Sequence, residues 1–331
     1  AREKLMERFV FVAAIVIAVI FGIKALVGDG DYGIHIGEGM GTAEIVSTEP
    51  GRLEPQTFAG QTLRVRHLVG RVVVTPEDRS DFLIEIASPG GVPMPTVEAE
   101  GDVVTIDGRL RGRIRSCQDD GTATLDGYDP ITSDNLPTVT IRAPRALVMD
   151  RGGAGTTEIA AAESVNLDML GCGAATIGEV AGALELDMAG AGQVNAGGAQ
   201  TLNVNSVGAG DINVGAVREY AQINLGGAGD VTIASLTGQL NVDSVGAGEI
   251  VVQGGAVTVA EIDTAGAGGV EIAAPVQTLN VSMVGSGDVD VANTVGDIDA
   301  DIAGVGTVSA RAVTGTITKN VVGPGDVRVG E

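Results

Sequence analysis

The chain has 331 residues and a formal net charge of −23, and 44 % of its residues are hydrophobic while only 2 % are aromatic. This length allows one large or two ordinary domains. The strong acidity argues against binding to nucleic acid and against adhesion of the distal part of the chain to anionic lipid. Glycine, at 51 residues, is about twice as frequent as its usual share of ~7 %.

The first predicted element is a membrane anchor at residues 9–27, FVFVAAIVIAVIFGIKALV. Only Gly22 and Lys24 interrupt this apolar run, and as a helix it would be about 28 Å long, close to the ~30 Å hydrocarbon core of a bilayer. A cleaved signal peptide is the alternative, but the residues around Ala25 form a poor cleavage site. We therefore expect an uncleaved transmembrane α-helix in contact with membrane lipid.

The charges on either side of this segment predict its orientation. Arg2, Lys4 and Arg8 precede it, whereas residues 28–60 are acidic and glycine-rich. The positive-inside rule then places residues 1–8 in the cytoplasm and the C-terminal part in the periplasm or outside the cell, with the anchor in the inner (cytoplasmic) membrane. We interpret residues 28–60 as a juxtamembrane linker with a first strand.

Residues 61–149 alternate like β-strands but lack a regular repeat. Runs such as TLRVRHLVGRVVVTP and VEAEGDVVTIDG show the period of two that is typical of strands. Pro89, Pro93 and Pro95 indicate one loop, and residues 119–135 indicate a second. We predict irregular opening coils with loops here.

Residues 150–331 contain a repeat of about 19 residues. Ten Gly-x-Gly triplets begin at intervals of 18 to 20 residues, and two short runs of alternating apolar residues separate them, as in GAGDINVGAVREYAQINLG. This pattern predicts an all-β fold, a single-stranded parallel β-helix (β-solenoid) in which each repeat forms one coil. It would follow the one N-terminal transmembrane α-helix.

The repeated glycines are expected to form one corner of the solenoid. Adjacent coils lie ~4.8 Å apart, so a corner that needs φ > 0 lies over the same corner of the next coil, where side chains would collide. The corner glycines are Gly208, Gly210, Gly227, Gly229, Gly246, Gly248, Gly285 and Gly287.

The runs VGAGDINV, GGAGDVTI, VGAGEIVV, VGSGDVDV and VGPGDVRV, with the upstream segments TFAGQTLRV, RVVVTPED and GDVVTIDG, resemble the head GIN domain family, named for auto-transporter adhesin heads. The resemblance covers roughly residues 45–331. It implies a right-handed parallel β-helix in the cell envelope. The sequence departs from a true autotransporter because no membrane barrel follows the repeats, so self-secretion is not expected.

Residues suited to catalysis are scarce. His35 lies in the linker and His67 in an early strand, and neither has a second His or a Cys at metal-ligand spacing. We interpret both as exposed polar residues and predict no enzyme activity and no cofactor. A dinucleotide fingerprint is excluded because strands, not a helix, follow the glycines.

Cys117 and Cys172 are the only cysteines. An exported location permits a disulfide between them, which would fasten residues 119–150 to the second repeat coil. The alternative is two unpaired small side chains.

A broken row of carboxylates follows the glycine triplets. Calcium could bridge oxygen ligands from several coils, although the known calcium-binding repeat has a nine-residue period. The interpretation that we favour is a solvated edge that keeps the solenoid soluble. The candidate calcium ligands are Asp211, Asp230, Glu249, Asp288 and Asp326.

Four arginines alternate in the run RLRGRIR. If this run is a strand, Arg109, Arg111, Arg113 and Arg115 share one face. That face is a candidate site for a phosphate, a glycan acid or a protein. We favour pairing with carboxylates of the same chain.

These observations predict a non-enzymatic, membrane-anchored envelope protein whose rigid acidic solenoid is a scaffold or a protein-interaction module. The expected partner is a second copy or another membrane or envelope protein, because the last coil ends at Glu331 with an unpaired strand edge. The alternative is an adhesin-like or glycan-binding stalk, although Tyr220 is the only aromatic residue after residue 150. A polysaccharide lyase or hydrolase is a third and weaker alternative.

Overall fold

The computed structural model describes residues 48–118 and 120–330. The predicted anchor at residues 9–27 and His35 lie outside these residues. Among the residues that are described, no helix is both long and apolar enough to cross a bilayer. The regular elements of this part of the chain are β-strands and one short 3-10 helix, so the predicted all-β solenoid class is confirmed.

The described residues divide into two compact units. Residues 48–181 and 189–195 form the first unit, and residues 182–188 and 196–330 form the second. Strands β12 (Ala183–Gly190) and β13 (Gln193–Ala196) include residues of both units.

The first unit holds eleven further strands and the 3-10 helix Ser133–Asn135. The strands are β1 (Gly51–Ala59), β2 (Thr62–Glu77), β3 (Asp81–Ser88), β4 (Thr96–Glu100), β5 (Val103–Asp107), β6 (Ile114–Cys117), β7 (Ala123–Leu125), β8 (Thr138–Pro144), β9 (Ala146–Ile159), β10 (Ser164–Gly171) and β11 (Ala174–Ile177).

The opening of the first unit is not purely parallel, unlike the regular coils predicted for residues 150–331. β1 pairs with β3, β3 with β8 and β4 with β5 in antiparallel fashion. The tight connection between β4 and β5 explains one of these pairs, because Gly101 has a φ of +58° and lets the chain reverse. β2 pairs in parallel with β5, β8 and β9, and β9 pairs in parallel with β10 and β11, so coil stacking is established there.

The second unit is a regular stack of parallel strands. They are β14 (Ala199–Gly208), β15 (Asp211–Gly227), β16 (Val231–Gly246), β17 (Glu249–Val252), β18 (Gly255–Gly266), β19 (Gly269–Ile272), β20 (Val276–Gly285), β21 (Asp288–Gly304), β22 (Thr307–Val313), β23 (Ile317–Val322) and β24 (Asp326–Val329).

The core of the second unit consists of inward columns of aliphatic side chains. In one column Ile223 pairs with Val242, Val242 with Ile262 and Ile262 with Val281, and all four are at most 3 % exposed. Each such side chain contributes roughly 1.5–3 kcal/mol by leaving water. The 19-residue period therefore places the same kind of residue at the same point of successive coils.

The two glycines of a corner are required for different reasons. The first, as at Gly227, has a φ of +140°, which favours glycine. The second, as at Gly229, lacks a left-handed φ, but a Cβ there would lie 2.1 Å from the carbonyl oxygen of Gly210. Backbone torsion and contact with the preceding coil both exclude side chains at the first position, because a Cβ on Gly227 would also lie 2.1 Å from the carbonyl oxygen of Gly208. At the second position, contact alone excludes them.

Candidate functional site

Residues 108–137 leave the solenoid of the first unit and form an excursion with its own apolar contacts. Leu110, Leu125 and Ile131 of this excursion pack in one buried cluster with Val69 and Ala154 of the coils. The hairpin of β6 and β7 is thus held against the solenoid by aliphatic packing.

A disulfide joins this excursion to the glycine corner. The Sγ atoms of Cys117 and Cys172 are 2.00 Å apart, and the Cα atoms are 6.3 Å apart. Cys117 ends β6, and Cys172 is the middle residue of the glycine triplet that begins with Gly171, the last residue of β10. The bond therefore fixes the excursion to one coil.

The four arginines of the excursion do not share one strand face, contrary to the prediction. Only Arg115 lies in β6, while Arg109, Arg111 and Arg113 lie in the irregular segment before it. The backbone is not extended where this run begins, because Arg109 has a φ of +59°, outside the range that a strand requires.

Two of these arginines pair within the chain. Arg115 pairs with Asp126, and a guanidinium nitrogen of Arg111 lies 3.9 Å from a carboxylate oxygen of Asp107. Arg113 is exposed, and no ion pair involves it within residues 48–118 and 120–330.

His67 is not the exposed polar residue that the sequence predicts. Its side chain is only 7 % exposed, and its Nδ1 lies 3.2 Å from Asp107 Oδ1. Burial raises the pKa of Asp107, but hydrogen bonds from His67 and the Arg109 N–H, with the nearby charge of Arg66, outweigh this effect and lower the pKa to about 2. Asp107 therefore stays ionised, and its carboxylate lies beside the side chains of Arg66, His67 and Arg111.

A cleft of about 690 Å³ lies between the excursion and the glycine corners of the first unit. We call it the arginine cleft. Its charged lining residues are Arg66, Arg113 and Arg115, and its apolar lining includes side chains of the excursion and of β10.

A buried arginine, Arg151, lies beside the first glycine triplet, Gly153-Ala154-Gly155, which we call the first corner. Arg151 is 4 % exposed, and its guanidinium donates to the carbonyl oxygens of Gly152 at 2.7 Å and Ala154 at 2.5 Å. It also donates to the Leu68 carbonyl oxygen and to Thr157 Oγ1, both at 3.3 Å. Burial lowers its pKa to about 10, so it remains charged at neutral pH.

The predicted carboxylate row of the second unit binds backbone donors of neighbouring coils. Asp230 Oδ1 accepts the N–H of Glu249 at 2.8 Å, and Asp211 Oδ1 accepts the N–H of Asp230 at 3.2 Å. Asp288 Oδ1 accepts the N–H of Thr307 at 2.9 Å. These contacts give the row a structural role between coils.

Asp326, at the end of this row, accepts a hydrogen bond from Lys319 Nζ at 3.0 Å. Within the described part of the chain, no three or more His, Cys, Asp or Glu side chains are arranged to hold a metal ion.

A second polar row of the second unit, which we call the polar ladder, lies on the strands before the glycine corner. Asn205 Nδ2 donates to Asp187 Oδ1 at 2.6 Å, and Asn224 Nδ2 donates to Asn205 Oδ1 at 2.7 Å. Its members are Asp187, Asn205, Asn224, Asp243, Asp263, Ser282, Asp301 and Asn320.

Near its centre the polar ladder lacks a hydrogen-bond donor when Asp243 is ionised. Asp243 is 9 % exposed, and its burial, followed by the charges of Asp263 and Glu261, raises its pKa to about 6. The Oδ1 of Asn224 in the preceding coil is buried and has no hydrogen-bond partner. A protonated Asp243 would be able to donate to that oxygen.

An outer column of polar residues lies two positions before the polar ladder on each strand, and therefore on the same face. It consists of Asn203, Gln222, Asn241, Glu261, Asn280 and Asp299.

Comparison with known proteins supports the resemblance found in the sequence. Residues 238–330 match the family model described as "Putative auto-transporter adhesin, head GIN domain". At a strict significance level, no curated protein matches the chain.

Several solved structures share similarity with most of the chain. A "putative adhesin" from Parabacteroides distasonis ATCC 8503 is 14 % identical, with a TM-score of 0.42, and the match covers 86 % of this chain and 99 % of that one. A "putative lipid binding protein" from the same organism is 15 % identical, with a TM-score of 0.38 and coverages of 86 % and 98 %. A "putative adhesin" from Parabacteroides merdae ATCC 43184 is 14 % identical, with a TM-score of 0.34 and coverages of 86 % and 97 %. The family model by itself confirms the similarity to the head GIN domain family over residues 238–330.

Proposed function

We propose that this protein is a non-enzymatic envelope protein whose solenoid is a scaffold or protein-interaction module. Residues 9–27 would anchor it in the inner membrane, with residues 1–8 in the cytoplasm and the solenoid on the other side. The match of residues 238–330 to an adhesin head domain supports a binding role.

The polar ladder and its outer column carry this proposal. The ladder amides and carboxylates hydrogen-bond from coil to coil, as between Asn205 and Asn224, so their side chains are held before any partner arrives. Side chains that are already ordered lose little rotamer entropy on binding. The outer column adds partly exposed amides and carboxylates at the ~4.8 Å coil spacing.

The charge of the face formed by the polar ladder and the outer column indicates the kind of partner that it could bind. Glu261 and Asp299 of the outer column are exposed carboxylates. A second copy meeting this face with its own would place like charges opposite each other, whereas a basic or amide-rich surface would be complementary. Another membrane or envelope protein therefore suits this face better than a second copy.

A pair of charge reversals tests the proposal. Full-length protein extracted in mild detergent is sized by light scattering, and co-purifying chains are identified by mass spectrometry. We expect a stoichiometric complex that Glu261→Lys weakens at least about tenfold, the effect of roughly 1.4 kcal/mol.

Glu271→Lys is the matched control for this experiment. Glu271 is also an exposed strand glutamate, but it lies in β19, after the glycine corner. The Glu271→Lys variant should therefore leave the complex intact. A monomer with no stoichiometric partner, or equal effects of the two variants, would contradict the proposal.

A glycan-binding role is the second candidate, and Tyr220 is the observation that favours it. The ring lies on β15 between Thr201 and Gln239 of the neighbouring strands, and its hydroxyl donates to Gln222 Oε1 at 3.2 Å. An aromatic ring beside amides is a common setting for a sugar. Binding of envelope polysaccharide that Tyr220→Ala abolishes would support this role, and binding that it leaves unchanged would exclude Tyr220 from it.

A further inference from the structure

The arginine cleft has the volume of a small-ligand site. Its volume of about 690 Å³ falls within the usual range of roughly 300–1,000 Å³ for ligand pockets. Glycines of the stacked corners, including Gly153, Gly171 and Gly190, line one side. Because glycine has no side chain, these corners leave room that the excursion does not fill.

The apolar lining of the cleft suits a hydrocarbon chain. Leu110, Ile114 and Leu125 of the excursion line it together with Leu170 of β10. Among the described lining residues no Phe, Tyr or Trp occurs, so the cleft offers no aromatic face for stacking a sugar or a base. Aliphatic walls contact a flexible acyl chain well.

The charged lining is positive in a protein that is otherwise strongly acidic. Arg66 Nε lies 3.1 Å from Asp107 Oδ2, and Arg115 pairs with Asp126. Arg113 is exposed and has no ion pair within the described residues. The cleft therefore offers one guanidinium that is not neutralised there, and a guanidinium binds carboxylate or phosphate through two parallel hydrogen bonds.

We propose that the arginine cleft binds a single-chain anionic amphiphile. The acyl chain would lie along Leu110, Ile114 and Leu125, and its carboxylate or phosphate head would bind Arg113. The cleft shares no residue with the polar ladder. Failure of the amphiphile to bind would therefore not affect the proposed scaffold function. No covalent step is involved.

Photolabelling of the full-length protein in neutral lipid nanodiscs tests this site. The probe is a C16 fatty acid with a photoactivatable group on its chain, and labelled peptides are identified by mass spectrometry. We expect labelling of the excursion and of the corner near Ala191, which lines the cleft. A photoactivatable fatty alcohol of the same length should label these peptides about tenfold less, since it lacks the charge that binds Arg113.

Two matched variants make the result specific. Ala191 is the exposed middle residue of its glycine triplet, so Ala191→Phe should fill the cleft without straining the backbone and should remove most of the labelling. Ala228→Phe makes the same change at the same triplet position in the second unit and should leave labelling unchanged.

Arg113→Ala tests the head-group contact. It should reduce labelling by the fatty acid about tenfold and leave labelling by the fatty alcohol unchanged. Competition with dodecyl phosphate and with inorganic phosphate separates an amphiphile from a free anion, because only the amphiphile should compete. Labelling that Ala191→Phe does not reduce, equal labelling by acid and alcohol, or effective competition by inorganic phosphate would overturn the proposal.

Discussion

Gly246 pairs with Gly227 of the preceding coil, and a Cβ on Gly246 would lie 2.0 Å from the Gly227 carbonyl oxygen. The φ of Gly246 is +143°, which side chains rarely adopt. We therefore expect Gly246→Ala to lower the free energy of unfolding by at least about 3 kcal/mol, since both backbone strain and overpacking act at this position. Urea denaturation monitored by circular dichroism measures the change.

The neighbouring residue provides the control for this prediction. Ala247 is the exposed middle residue of the same corner. Ala247→Ser should change stability by less than about 0.5 kcal/mol. Similar denaturation midpoints for the two variants would show that the corner does not require glycine.

Asp243→Asn should stabilise the protein in a pH-dependent way. The folded-state pKa of about 6 exceeds the ordinary value of 3.8, so folding favours the protonated acid. Its stabilising contribution is complete below about pH 4 and is lost as the pH rises from about 4 to 6. The variant should therefore match the native chain near pH 4 and exceed it by about 2–3 kcal/mol at pH 8.

An amide at position 243 would also supply an N–H for the unpartnered Oδ1 of Asn224. Urea denaturation across this pH range gives the difference between variant and native chain. Glu271→Gln, at an exposed strand position, serves as the control and should show a difference that does not change with pH. A flat difference for Asp243→Asn as well would mean that Asp243 is ionised throughout.

Loss of the disulfide should lower the stability of the first unit against thermal unfolding. Cys117 and Cys172 are 55 residues apart in sequence. A cross-link over that separation stabilises by up to about 4 kcal/mol because it restricts the unfolded chain. Thermal unfolding with and without reductant measures the loss, and the double variant Cys117→Ser/Cys172→Ser should not respond to reductant. Native protein whose two thiols both alkylate without reduction would contradict the bond.

Arg151→Leu should lower the free energy of unfolding by about 3–5 kcal/mol. The substitution removes the donors that bind the carbonyl oxygens of Gly152 and Ala154 and leaves these buried acceptors without them. Arg311→Leu, at an exposed position of β22, is the control and should cost less than about 0.5 kcal/mol. Equal denaturation midpoints for the two variants would show that the buried guanidinium contributes nothing.

The repeat made the solenoid predictable, because period-two strands and glycines at 19-residue intervals specify stacked coils directly. The polar ladder was also present in the sequence, since Asn224, Asp243 and Asp263 recur at nearly the same interval. Alternation, however, indicates only that these positions are outward and polar, so it does not predict the ladder. The burial of Asn224 and Asp243 depends on packing around them, which the period does not reveal.

The contacts of the first unit could not be predicted in the same way. His67 is 40 residues from Asp107, and their meeting depends on the irregular backbone around Gly108. For the same reason the alternating arginines suggested a strand face that the structure does not contain. Local pattern does not specify a non-repeating excursion, because its path is set by packing with distant residues.

Site-specific photocross-linking in the native membrane tests the scaffold function most directly. A photoreactive residue at position 280, in the outer column beside the polar ladder, is compared with one at position 271 on the other side of the glycine corner. The proposed function predicts a discrete cross-linked protein from position 280 and none from position 271. Absence of any adduct from position 280, or the same adducts from both positions, would contradict it.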